Sequence, residues 1–256
     1  MRWSGLRLSA TLLTVVPLRG PVIEPSRDTA AAAMAWAPAV GLLLGVVAAA
    51  VLVVADHPLG AGPLTAAGLA VAALALLTRG LHLDGLADLA DGLGSGQPAP
   101  RALDIMRRSD IGPFGIVTLV LTLVIQVAAL AHAEAAGGGR GPAALITAAV
   151  TGRLALTWAC RRGVAAARPD GLGALVAGTV RPAVAAVITL TVVAAASTTG
   201  VGFTLPLAVV TGLAAAFVLQ RHAARRLGGI TGDVLGALIE TAATVTLVVA
   251  AMGPPA

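Results

Sequence analysis

Lysine is absent from this chain of 256 residues, and only 11% of its residues are charged. The single cysteine, Cys160, excludes an intramolecular disulfide, and no zinc-binding spacing of cysteine and histidine is present. The motifs GxSxG, GxxxxGK[ST] and HExxH are missing, as is a GxGxxG followed by an acid. These absences argue against hydrolase, nucleoside triphosphatase, metalloprotease and dinucleotide-binding functions.

Apolar residues make up 57% of the chain, and the mean hydropathy is +0.93. Such values are typical of integral membrane proteins. We therefore expect an all-α, polytopic membrane helical bundle that forms a single domain over residues 1–256. The net charge of +5 comes from arginine, which in membrane proteins mostly reports topology, so we expect no nucleic-acid partner.

About seven transmembrane helices are predicted from apolar stretches, given that a span needs about 20 residues. Residues 1–35 are amphipathic and contain four arginines, which favours an interfacial or re-entrant segment. Whether this segment crosses the membrane is left open. The predicted spans are about Trp36 to Val54, Leu64 to Thr78, Phe114 to Ala131, Ala143 to Cys160, Ala183 to Ser197, Thr204 to Leu219, and a seventh that ends near Met252.

The arginines are distributed unevenly between the two sides of this arrangement. Of the 17 basic residues, all except Arg140 and Arg153 fall on the side that holds the N-terminus. The positive-inside rule makes that side cytoplasmic. We therefore expect a multi-pass protein of the cell (inner) membrane, in contact with lipid and with its acidic residues facing the cytoplasm.

Residues 79–115 hold five of the twelve acidic residues. On a helix, Asp84, Asp88 and Asp91 are spaced i, i+4 and i+7, so they share one face. Three carboxylates on one face repel each other unless a cation neutralises them, and Mg²⁺ prefers oxygen ligands and substrate phosphates. A solvated, capped surface is the simpler alternative. Leucines interleaved with these aspartates favour partial burial, and with it a magnesium-dependent phosphoryl site.

Residues 228–240 form a second acidic element, in which Asp233 and Glu240 are spaced i, i+7. Glu240 lies about two turns, near 10 Å, inside the seventh span, so we expect it to point into the bundle. It either contacts metal or substrate or pairs with an arginine from another span. The role of His82 also has two alternatives, since an interfacial histidine is as reasonable as a functional one.

Four segments resemble the cobalamin synthase family, the adenosylcobinamide-GDP ribazoletransferases. They read LHLDGLADLADG at 81–92, RALDIMRRSDIGPFG at 101–115, ARPDGLG at 167–173 and GGITGDVLGALIE at 228–240. The resemblance runs over nearly the whole chain. It implies a Mg²⁺-dependent membrane enzyme that joins adenosylcobinamide-GDP to α-ribazole, or to α-ribazole 5′-phosphate, and releases GMP.

The resemblance also implies roles for individual residues. The residues after Met106 depart from the family pattern, because an acid and a base have exchanged places around Ser109, which leaves the roles of Arg108 and Asp110 open. The implied metal ligands are Asp84, Asp88 and Asp91. The implied catalytic acids are these three with Asp233 and Glu240. The implied substrate-binding residues are His82, Arg101, Arg107, Arg108, Arg168 and Gly232.

Two other classes remain as alternatives. A CDP-alcohol phosphatidyltransferase is also a membrane phosphotransferase with aspartates on helices, but Asp84-Gly85 is not followed by the Ala-Arg pair of that family's pattern. A cation-coupled transporter places its acids near the midplane in repeated, interrupted helices, and no such repeat is detected. The acceptor, the number of metal ions, the general base and any homo-oligomer are not determined by the sequence.

Overall fold

The computed structural model describes residues 2–16, 18–20, 26–199 and 201–252. Within these ranges the regular secondary structure is helical, apart from two isolated bridges between loops, so the expected all-α class is confirmed. The helices are α1 (Arg2–Leu13), α2 (Arg27–Asp56), α3 (Pro63–Leu77), α4 (Leu81–Gly94), α5 (Ala99–Ile105), α6 (Pro113–Ala135), α7 (Arg140–Ala159), α8 (Gly171–Val176), α9 (Pro182–Ser197), α10 (Thr204–Leu227) and α11 (Gly232–Ala251).

Local sequence signals account for many helix ends. Helices α3, α6 and α9 each begin with proline, whose missing N–H is not needed in the first turn. The Ser26 hydroxyl accepts from the Thr29 N–H at the start of α2, and the Thr231 hydroxyl accepts from the Val234 N–H at the start of α11. Gly228 ends α10 in the left-handed conformation.

The helices pack closely through small residues. A Cβ at Gly41 would lie 2.5 Å from the Ala149 carbonyl oxygen, so α2 and α7 approach backbone to backbone. Gly152 brings α7 against α11 in the same way. Such close approach is typical of membrane bundles. There is no hydrophobic driving force between helices in lipid, and small residues allow the close van der Waals packing that holds them together. Most of α7 is buried, which places it at the centre of the bundle.

Four helices among the described residues are long and apolar enough to cross a membrane: α2, α6, α10 and α11. A polytopic membrane protein is thus supported. Each of the seven predicted spans coincides with a helix, but α3, α7 and α9 do not meet the same criteria individually, so the count of seven stays a prediction. Helix α7 can carry buried polar groups such as Arg153 and Thr151, because other helices surround it.

The prediction for residues 1–35 is partly wrong, because α2 already begins at Arg27 and runs for 30 residues. Counting apolar residues places the start of the first span near Trp36, because such a count overlooks the helix N-cap at Ser26. Helix α1 packs on α2, where Gly5 meets Ala32. The Arg27 guanidinium donates to the Ala177 carbonyl at 2.9 Å, which ties the start of α2 to the loops after α7.

Helix α4 does not continue α3. Arg79 and Gly80 have φ angles of 55° and 65°, and these two left-handed residues bend the chain by 88°. α4 packs mainly against α11 and α6. The acidic helix therefore runs across the end of the bundle rather than through it.

Candidate active site

A cavity of about 290 Å³ opens where α4 crosses the start of α11. Its mouth is polar, with Asp84, Arg168, Asp170, Thr231 and Asp233 among the lining residues. Its inner end is apolar. The cavity thus brings together residues from three of the four sequence segments that carry the resemblance.

Two glycines set the distance between α4 and α11. A Cβ at Gly85 would lie 2.8 Å from the Asp233 carbonyl oxygen, and a Cβ at Gly236 would lie 3.1 Å from the His82 carbonyl oxygen. A Cβ at Gly85 would collide with the backbone of α11, and one at Gly236 would require a shift of a few tenths of an ångström. The close contact places Asp84 and Asp233, from separate helices, on the wall of one cavity.

The three aspartates of α4 have different surroundings. Asp84 is exposed at the cavity mouth, Asp88 is half-buried, and Asp91 is buried. Burial first, and then the neighbouring carboxylates of Asp84, Asp233 and Asp91, raise the pKa of Asp88 to about 7, with Arg168 acting in the opposite direction. The arrangement therefore accumulates negative charge that a cation would relieve.

Asp91 fastens α4 to the start of α6. Its Oδ2 accepts from the Gly112 N–H at 2.7 Å, and its Oδ1 accepts from the Gly115 N–H at 2.9 Å. Helix α6 has no side-chain cap of its own, so Asp91 satisfies two of its first N–H groups from another helix. The metal-binding role expected for Asp91 stays a prediction, and its carboxylate already has a structural partner.

Hydrogen bonds between two loops hold the arginine side of the cavity in place. The Ile230 N–H donates to the Ala165 carbonyl at 3.0 Å, and the Ala167 N–H donates to the Ile230 carbonyl at 2.9 Å. The loop then directs Arg168 toward the cavity. Its Nη2 donates to the Leu103 carbonyl at 2.6 Å, and its Nη1 lies 3.9 Å from Asp233 Oδ2.

Asp233 and Gly232 lie in the first turn of α11. The Thr231 hydroxyl, which caps this helix, also donates to Asp233 Oδ2 at 3.1 Å. The positive end of the helix dipole favours a carboxylate at this position. Gly232 lines the cavity, and a Cβ there would meet only Leu172, at 3.7 Å or more, so the backbone is open to a ligand.

His82 is buried beside the cavity, with 3% of its surface exposed. Arg153 Nη2 lies 3.3 Å from His82 Nδ1. Burial first, and then this guanidinium, hold the pKa of His82 well below its usual range, so the ring is neutral at pH 7. The position of His82 is thus internal rather than interfacial.

Glu240 lies apart from the cavity. It accepts from the Gln126 amide at 2.9 Å and lines a separate space of about 30 Å³ together with Arg153. The expected inward orientation is confirmed. Arg153 lines the same space, but Glu240 accepts its side-chain hydrogen bond from the Gln126 amide, so the choice between a metal or substrate contact and pairing with an arginine stays open. The catalytic role expected for Glu240 stays a prediction.

The remaining predicted arginines lie outside the cavity lining. Arg107 pairs with Asp170 at 3.0 Å, and both side chains are exposed. Arg101 and Arg108 are exposed on and just after α5. Because Asp170 lines the cavity, Arg107 is near its mouth, whereas the structure does not bring Arg101 or Arg108 into the site.

A compact metal centre is not preformed at this site. Among the described residues, three ligand atoms lie within 4.8 Å of one another only at Asp56, His57 and Glu134. That group is at the far end of α2 from Arg27 and hence from the cavity. The carboxylates of Asp84, Asp88 and Asp233 are hard oxygen donors, which suit Mg²⁺, an ion that also keeps waters and binds substrate phosphates.

Sequence reasoning missed two contributors to the site. Arg153 falls within the fourth predicted span, and no pattern in the sequence points to its contact with His82. Asp170 lies in the segment ARPDGLG, which indicates its neighbourhood but assigns it no role. Contacts between distant helices leave no short-range signal, which explains the first omission.

The fold and the site define a polytopic helical membrane enzyme with acids and arginine around one cavity. The chain belongs to the cobalamin-5-phosphate synthase family, whose model matches residues 5–251. This is the family that the four segments resemble, and it differs from both alternatives considered from the sequence.

Relatives called adenosylcobinamide-GDP ribazoletransferase cover almost the same length. The protein from Frankia casuarinae is 47% identical, over 97% of this chain and 95% of its own. Those from Bradyrhizobium diazoefficiens and Nocardioides sp. are 38% and 39% identical, over 97% and 94% of this chain and 93% and 95% of their own. No solved structure matches the chain.

Proposed function

We propose that this protein joins adenosylcobinamide-GDP to α-ribazole, or to α-ribazole 5′-phosphate, with release of GMP. The product is adenosylcobalamin or its 5′-phosphate. Membership of the cobalamin-5-phosphate synthase family supports the reaction. The observation that carries the proposal is the single cavity at which Asp84 of α4, Arg168 of the loop and Asp233 of α11 meet.

The reaction is a substitution at phosphorus. The ribose 3′-hydroxyl of the acceptor forms a bond to the phosphorus linked to cobinamide, and the bond between that phosphorus and the bridging oxygen of GMP breaks. Negative charge develops on the leaving phosphate. Arg168 lies in the cavity wall and is positioned to stabilise this charge.

We propose that Asp84, Asp88 and Asp233 hold Mg²⁺. When bound, the ion neutralises the pyrophosphate oxygens of the donor. The repulsion that raises the pKa of Asp88 supports this assignment, because a divalent cation relieves it. Of the three carboxylates that line the cavity, Asp170 pairs with Arg107, which leaves either Asp84 or Asp233 to accept the hydroxyl proton. Asp91 acts by fastening α4 to α6.

The site is proposed to face the cytoplasm. The arginine-rich segments that border the cavity, together with the positive-inside rule, support this orientation. Donor and acceptor are both polar at their phosphates and sugars, and reach the mouth from water. The protein remains in contact with the lipid of the cell membrane through the exposed apolar faces of helices such as α6.

GMP release tests the proposal. Membranes containing the protein should release GMP only when adenosylcobinamide-GDP, α-ribazole or its 5′-phosphate, and Mg²⁺ are all present. An excess of EDTA should stop release, and added Mg²⁺ should restore it. Membranes with Asp233→Asn serve as the inactive control. GMP formed without an acceptor would indicate hydrolysis, and no GMP under any condition would refute the proposal.

A further inference from the structure

The inner end of the cavity is apolar, unlike its mouth. Met34 and Leu156 are almost fully buried there, and Leu235 and Ile239 of α11 complete the wall. The whole cavity measures about 290 Å³. This lies at the lower end of the roughly 300–1,000 Å³ of ligand pockets, so it suits one small ring system and not a corrinoid.

His82 belongs to this inner end. The Asp233 backbone packs on Gly85, whereas the His82 backbone packs on Gly236, three residues further along α11. Three residues of helix correspond to about 4.5 Å. His82 therefore lies deeper in the bundle than the acids at the mouth.

Arg153 determines which nitrogen of His82 carries the proton. A guanidinium only donates, so His82 Nδ1, 3.3 Å from Arg153 Nη2, accepts. The ring proton is then on Nε2. Nε2 is buried and finds no hydrogen-bond partner among the described residues. A buried donor without a partner is costly, which points to a ligand acceptor at this position.

We infer that the inner end binds the base of the acceptor nucleoside, with His82 Nε2–H donating to its free ring nitrogen. The inference rests on the proposed function. Dimethylbenzimidazole, the base of α-ribazole, is a flat apolar bicycle in which one nitrogen carries the ribose and the other keeps a lone pair. It matches an apolar cavity that offers one neutral donor. The ribose then points toward the mouth, where Asp84 and Asp233 lie.

A phosphate at His82 is disfavoured by the same observations. Because Nδ1 already accepts from Arg153, the ring offers a single donor, and the walls around it are apolar. An anion is better served by Arg168, nearer the mouth. Glu240 and Gln126 line the same small space as Arg153, whose guanidinium contacts His82, so they lie outside the contact with the base.

Changing one atom of the substrate and one residue of the protein tests this contact. The two acceptors are α-ribazole and the nucleoside in which 5,6-dimethylindole replaces the base, so that a C–H stands in place of the ring nitrogen. For each acceptor, kcat/KM is measured from GMP release. The wild type should prefer α-ribazole by roughly 5- to 150-fold, the range expected for a buried donor left without its acceptor.

Two amide variants separate the contact from a general effect on folding. In His82→Gln the side-chain nitrogen reaches about the position of Nε2, so the preference should persist. In His82→Asn the nitrogen reaches only about the position of Nδ1, and the preference should fall to near one. The ratio is internal to each variant, so it does not depend on the amount of folded protein. His222→Leu, at an exposed histidine, is the control and should behave as the wild type.

The outcomes distinguish this inference from the proposed function. If the wild type uses both acceptors equally, or if His82→Asn keeps the full preference, the ring nitrogen is not recognised by His82. The inference is then overturned, and the transfer reaction stands. If no acceptor gives GMP with the wild type, the proposed function itself fails.

Discussion

Asparagine substitutions at Asp88 and Asp91, one turn apart on α4, should change stability in opposite directions. Asp91 bonds two N–H groups at the start of α6, at 2.7 and 2.9 Å. In Asp91→Asn one oxygen becomes an NH₂ that faces an N–H, so one bond is lost and the other loses its charge. Asp88 has carboxylate neighbours that disfavour its ionised form, so Asp88→Asn removes repulsion.

The magnitudes follow from these contacts. Hydrogen bonds to a buried charged group contribute about 1.5–3 kcal/mol each, so Asp91→Asn should cost about 3 kcal/mol. For a chain of this size that lowers the melting temperature by roughly 6–12 °C. The pKa of Asp88, about 7, lies above its ordinary value, so the metal-free protein loses stability as pH rises from about 4 to 7. At pH 8, Asp88→Asn should gain about 1 kcal/mol, after allowance for partial exposure.

Thermal unfolding in detergent at pH 8 with EDTA measures both effects, and GMP release measures function. Asp88→Asn should melt slightly above the wild type and yet lose Mg²⁺-dependent activity. Asp91→Asn should melt well below it. Asp104→Asn, an acid on α5 outside the cavity lining, is the matched control. An unchanged melting temperature for Asp91→Asn, or a lowered one for Asp88→Asn, would refute the different roles assigned to these aspartates.

Three further predictions concern the same site. The Mg²⁺ concentration for half-maximal GMP release should rise about tenfold between pH 8 and pH 6, because protonation of Asp88 below its pKa of about 7 competes with the metal; a flat profile would contradict this. Gly85→Ala should lower kcat/KM by at least about tenfold, since its Cβ would lie 2.8 Å from the Asp233 carbonyl oxygen, whereas Gly96→Ala, at an open turn, changes only local backbone strain. Arg168→Lys cannot both donate to the Leu103 carbonyl and face Asp233, so the KM for adenosylcobinamide-GDP should rise more than kcat falls.

Much of the fold could be predicted from the sequence, because apolar runs and helix caps act locally. Every predicted span coincides with a helix, and the depth and inward orientation of Glu240 followed from counting turns. The start of α2 was misplaced because the apolar count overlooked a polar first turn capped by Ser26. A helix is counted as a membrane span only if it is both long and apolar enough. Helix α7 contains many buried polar groups and therefore does not meet these criteria.

The sequence predicted which residues belong to the site better than it predicted how they are arranged. The shared face of Asp84, Asp88 and Asp91 suggested three equivalent ligands. The structure gives them separate neighbours, since α11 meets the first part of α4 and the start of α6 meets Asp91. Helical periodicity states which residues face the same way, but not which other helix they face. The contact between Arg153 and His82 could not be predicted from the sequence for the same reason.

The left-handed pair Arg79 and Gly80 has a consequence for where the chemistry takes place. Because α4 leaves α3 at 88°, the depth at which α3 ends also fixes the depth of the acids. The acids then lie at the end of the bundle, while the apolar inner end of the cavity lies between α2, α7 and α11. Any shift of the end of α3 would therefore be transmitted to α4, and with it to the carboxylates at the mouth of the cavity.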